Sequence, residues 1–105
     1  MTIQYEYDAA NKTLSFMLTG RLGFSSYQEF SGIYQGQAKE TVEHYVLDMS
    51  ALTYLDSSAL GMLLLLKDYS AEGARISIMH CSPDVYKILE IANFHQLFTV
   101  TLSSE

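Results

Sequence analysis

The chain has 105 residues, 49% of them hydrophobic, which is the length of one compact domain with enough apolar side chain to build a core unaided. Six Lys and Arg against twelve Asp and Glu leave a net charge of −6, which argues against partners gripped through phosphates, so neither nucleic acid nor an anionic membrane is expected. Cys81 is the single cysteine, which excludes an intrachain disulfide. Cys81, His44, His80 and His95 show no metal-ligand spacing, so no metal and no cofactor are expected.

Met1-Thr2-Ile3-Gln4-Tyr5-Glu6 lacks a basic region followed by an apolar run, and the longest apolar block, Ala59 to Leu66, is far short of a membrane span. A soluble cytoplasmic protein without membrane insertion is the expectation. Ile3 to Tyr7 alternates apolar and polar, and Asp8 to Lys12 turns the chain into a second alternating run, Thr13 to Thr19, which Gly20 is expected to stop. Tyr27, Phe30, Ile33, Tyr34 and Ala38 then recur at helical spacing, with Ser25 or Ser26 as N-cap.

Tyr45-Val46-Leu47-Asp48-Met49 reads as a central strand covered on both faces. A second helix is predicted from Ser57 to Tyr69, ending near Gly73, and Arg75 to Met79 forms another strand. Ser82-Pro83 is an N-cap followed by proline at the first helical position, opening a helix that turns Val85, Ile88, Leu89 and Ile91 inward. Leu97 to Leu102 closes the chain as an edge strand, with Ser103-Ser104-Glu105 as a frayed end. The order β-β-α-β-α-β-α-β implies a single α/β domain over residues 1–105, a mixed sheet with helices packed on it.

Chemistry concentrates where the central strand passes through a short loop, Ser50 to Leu55, into the second helix. Sites in open α/β sheets form beyond the carboxyl ends of strands, and Asp56, Ser57 and Ser58 fall at a helix start, where unpaired N–H groups favour an anion. Asp56 or Ser57 capping the helix would account for one polar residue, but two hydroxyls follow the carboxylate. The helix itself has no polar side chain from Ala59 to Leu66, so part of it faces either a partner or covering elements of the fold.

Asp56-Ser57-Ser58-Ala59-Leu60-Gly61-Met62-Leu63, after an apolar strand and Asp48-Met49-Ser50, resembles the signature of the STAS-domain anti-sigma factor antagonists. Thr19-Gly20-Arg21-Leu22 after the second strand and the order of elements extend the likeness along nearly the whole chain. The resemblance implies a partner-switching regulator. Unphosphorylated, it binds a serine-kinase anti-sigma factor or similar protein; phosphorylation releases it, and a PP2C-type phosphatase restores binding. The phosphoacceptor of the family falls on Ser57, with Ser58 as support or alternate site and Asp56 orienting the hydroxyl. Leu60, Met62 and Leu63 are the expected partner contacts on the helix, with Gly23 and Tyr54 beside them. Two positions depart from the pattern: Ala59 stands where the family often has Gly, and Gly23 where many members carry an acid.

Enzymatic readings fare worse. Ser57 lacks a Gly-x-Ser-x-Gly elbow, the chain has no P-loop, and Asp48 lacks the acidic cluster and lysine of a receiver domain, so no catalytic residue is expected. The rival to the switch is a constitutive STAS interaction or scaffold subunit of a transporter or signalling complex, in which Ser57 only caps the helix.

Overall fold

The computed structural model describes residues 2–103. β1 (Thr2–Asp8) pairs antiparallel with β2 (Thr13–Leu22) through a turn in which the Asp8 carboxylate accepts from the Ala10 and Asn11 backbone N–H groups. β3 (His44–Leu55), β4 (Arg75–Cys81) and β5 (Thr99–Leu102) then add in parallel, giving one sheet in the order β1-β2-β3-β4-β5. Helices α1 (Tyr27–Gln35), α2 (Ser57–Tyr69) and α3 (Pro83–Ile91) occupy the three crossovers. Every crossover steps the same way across the sheet, so the right-handed rule lays all three helices on one face.

Burial follows that geometry. Leu14, Phe16 and Leu18 of β2, Tyr45, Leu47 and Met49 of β3, and Ile76 and Ile78 of β4 join Phe30 and Tyr34 of α1, Leu63 and Leu66 of α2, and Val85 and Leu89 of α3 in one core. A run of rings ties the layers together: Phe16 to Phe30 at 5.2 Å between centroids, Phe30 to Tyr34 at 5.5 Å and Tyr34 to Tyr69 at 5.2 Å. On the opposite face of the sheet Ser15, Val46, Asp48 and Met79 are half-buried and Met17 is exposed. The central strand is therefore covered by helices on one face, where cover on both was expected.

Several boundaries differ from the sequence expectation, each for a local reason. Gly20 does not stop β2: with φ +89° it takes a conformation that favours glycine and sits at a register shift, after which Arg21 and Leu22 resume pairing with Tyr54 and Leu55. The expected loop Ser50 to Leu55 is consequently strand, and Leu52 and Leu55 are buried in it. α1 ends at Gln35 with Gly36 as C-cap, which leaves Ala38 exposed, and Ser26 precedes α1 without a side-chain capping bond. Ile91, at the last position of α3, is 72% exposed rather than inward. Leu97 lies before β5, where a short 3-10 turn, Phe94–Gln96, turns Phe94 and Phe98 inward instead. Of the expected frayed end, Ser103 donates its N–H to the Cys81 carbonyl at 2.7 Å, and Ser104 and Glu105 lie outside the described residues.

Candidate functional site: the junction of β3 and α2

The carboxyl ends of β2 and β3 finish side by side, with Leu22 and Leu55 paired and both buried. Asp56 is the single residue between β3 and α2. Its backbone is extended, its N–H donates to the Leu22 carbonyl at 3.2 Å, and its Oδ1 accepts from the Ala59 N–H at 2.9 Å. The strand ends thus hold Asp56 from one side while it caps α2 from the other.

With Asp56 as cap, the hydroxyls of Ser57 and Ser58 are free of that duty. Both residues are exposed in the first turn, and neither hydroxyl has a hydrogen-bond partner among the described residues. The N-terminal end of the helix favours negative charge there.

Helical spacing then splits α2 into two stripes. Ala59, Met62, Leu63 and Leu66 are buried, Leu60 is half-buried, and Ser57, Ser58, Gly61, Leu64, Leu65 and Asp68 are exposed. Two of the three partner contacts expected on the helix are therefore misplaced: Met62 at 3% and Leu63 at 0% exposure belong to the core, because they share a face with Ala59 and Leu66. Leu64 at 42% and Leu65 at 49% take their place as the apolar outward positions. Ala59, which stands where the family often has Gly, also belongs to the core.

Alongside lies a cleft of about 300 Å³ lined by Arg21, Leu22, Gly23, Phe24, Ser25, Tyr54 and Asp56. Gly23 and Tyr54 were named from the sequence as partner contacts; Arg21, Phe24, Leu64 and Leu65 were not. The signals for these were present, a lone cation after Gly20, a Phe beside Gly23, and an apolar run too long for one buried stripe. Gly23 has an extended backbone that any residue adopts, but a Cβ there would lie 2.7 Å from Asp56 Oδ2. We expect Gly23→Ala to turn the Asp56 carboxylate off its cap, at a cost of about 1 kcal/mol in chemical denaturation. Asp56→Ala should cost a similar amount, and the double variant no more than either single one, since both act through the same bond.

Asp48 is a separate feature. β3 continues from it to Leu55, so Asp48 lies within the strand rather than at its end. Burial raises its pKa, but the Ser50 N–H at 2.9 Å and His80 Nδ1 at 3.3 Å more than offset this and hold the carboxyl below its ordinary value. His80 adopts φ +63° and is exposed, while the adjacent Cys81 is buried, its thiol pushed up to about 11 by desolvation. That setting suits a packing cysteine rather than a nucleophile.

Fold and site together define a small α/β domain that presents a capped helix and its serines beyond the strand ends. The STAS-domain family model matches residues 4–105, and the chain belongs to that family. A STAS-domain containing protein of Pseudomonas aeruginosa (strain UCBPP-PA14) is 48% identical over 94 residues, covering 89% of this chain and 92% of the relative. Among solved structures, a putative anti-sigma factor antagonist from Thermotoga maritima superposes with a TM-score of 0.80 at 15% identity, over 94% of this chain and 85% of that one. The Bacillus cell fate determinant SpoIIAA, in its phosphorylated form, gives 0.65 at 20% identity, over 94% and 90%. Among the described residues no helix is long and apolar enough to cross a membrane.

Proposed function

We propose that the chain is the antagonist arm of a partner switch. Unphosphorylated, it docks through the outer stripe of α2 and the neighbouring cleft onto a serine-kinase, anti-sigma-type regulator. That kinase phosphorylates Ser57, the complex dissociates, and a PP2C-type phosphatase resets it. Ser58 is the support or alternate acceptor. The observation that carries this reading is the division of labour at the helix start: Asp56 makes the capping bond, and two exposed hydroxyls stand beside it without a structural task. The fold is shared with SpoIIAA, which has a phosphorylated and an unphosphorylated form.

The physics makes Ser57 a switch for binding rather than for folding. A phosphate adds about −1.5 to −2 charges, which in a docked interface with Leu64 and Leu65 opposes contact through desolvation. In the free protein the same charge lies at the helix N-terminus, where it is tolerated. The proposed role is that of a binding module, with the transfer chemistry supplied by the partner.

The test is ATP-dependent release. Purified protein and Ser57→Ala are incubated with host extract, ATP is added, and phosphosites and bound partner are followed together. Wild type should gain phosphate on Ser57 and let go, while Ser57→Ala should bind equally and stay bound. If ATP makes no difference to either protein, the chain is a constitutive scaffold and the switch is wrong.

A further inference from the structure

Arg21 carries a charge that the fold does not neutralise. Its guanidinium carbon lies 4.7 Å from the centre of the Tyr54 ring. Among the described residues the cation–carboxylate contacts are Lys12 with Glu43 and the His80 ring with Asp48, so no carboxylate is within 4.0 Å of Arg21. Asp56 borders the same cleft, but its Oδ1 is taken by the Ala59 N–H and its Oδ2 fills the space over Gly23.

Beside this cation stand two rings that the core does not need. Phe24 is 77% exposed and Tyr54 41%. A phenylalanine left this far in water gains from being covered, and Arg and Tyr, held here in a stacked pair, are among the residue types that carry most of the energy when interfaces close. The cleft of about 300 Å³ that Arg21, Phe24 and Tyr54 border leaves room for a segment to lie against them.

We propose that this cleft docks a segment of the kinase-type partner in which an acidic side chain stands next to a large apolar one. The carboxylate meets Arg21 and the apolar group covers Phe24. Charge decides the class of occupant: the chain has a net charge of −6, so an acid is disfavoured over most of its surface and welcome at this unpaired cation. Arg21 therefore sets register and partner choice as well as contributing affinity. The inference rests on the docking half of the proposed function and adds the chemistry of what docks; it does not depend on phosphorylation.

A photo-crosslinking residue, p-benzoylphenylalanine, in place of Phe24 tests it in host cells, with the joined peptide sequenced after irradiation. The expected product is one partner peptide with Asp or Glu within two residues of a large apolar side chain. With that partner purified, Arg21→Glu should weaken binding at least tenfold at low salt, and Arg21→Gln by less. Reversing the partner's acid to Arg should restore the affinity of Arg21→Glu. A product without an acid, a product with a second copy of this chain, no product, or unchanged binding of Arg21→Glu would each overturn the proposal. Adding ATP to the same complex keeps the two readings apart. A complex that needs Arg21 but ignores ATP would end the switch and leave the docking site standing, whereas ATP-driven release with Arg21→Glu binding unchanged would do the reverse.

Discussion

Lysine in place of Met62 is expected to unfold the protein, whereas lysine in place of Leu65, three residues along the same helix, should leave it folded and weaken docking. Met62 is 3% exposed, on the stripe with Ala59, Leu63 and Leu66. An ammonium there must be buried unpaired or deprotonated, and either route costs several kcal/mol. Total stabilities of about 5–15 kcal/mol leave little to spare. Leu65 is 49% exposed, and a surface exchange of that kind shifts stability by about 0.5 kcal/mol or less. Urea midpoints of both variants check the pair. A Met62→Lys protein with a wild-type midpoint would show that α2 does not face the sheet as described.

The second large effect is alkaline. Burial pushes the phenols of Tyr34 and Tyr45 up to about 12, helped at Tyr34 by neighbouring Tyr27 and at Tyr45 by Tyr69. In the unfolded chain both titrate near their ordinary value of 10.0. Above that pH the unfolded state sheds protons that the folded state keeps, so stability is full below about pH 10 and falls as pH rises toward 12. Each phenol contributes roughly 1 kcal/mol per pH unit across that window. Cys81, raised from 9.0 to about 11, starts the decline a unit earlier. Tyr45→Phe should remove about half of the tyrosine slope in denaturation series between about pH 9 and 12. It should not weaken the protein at neutral pH, because the Tyr45 hydroxyl is buried without a partner among the described residues. A slope unchanged by Tyr45→Phe would mean that its phenol titrates alike in both states.

Most of the architecture was legible because local signals agreed with each other. The turn at Asp8, the Ser82-Pro83 cap and the Tyr27-Phe30-Tyr34 spacing each named an element that the fold contains. The errors came where long-range pairing overrode a local cue. Gly20 reads as a stop in isolation, yet Arg21 and Leu22 have partners in Tyr54 and Leu55, which sequence reading assigned to a loop. At the candidate site, the placement of Asp56 and the two serines at the helix start was legible from composition and position. The orientation of α2 was not: a helix apolar nearly all round has no hydrophobic stripe to read, so Met62 and Leu65 are alike until the sheet chooses between them. Gly23 was noticed for the acid it lacks, while the carboxylate that fills its space comes from Asp56, a contact no spacing rule reveals.

The two stripes of α2 have a consequence for how such domains diversify. Leu64 and Leu65, at 42% and 49% exposure, carry less of the folding burden than Met62, Leu63 and Leu66. Drift at the outward positions therefore meets little stability threshold, and a duplicated copy is free to acquire a new recognition code while its scaffold stays constant.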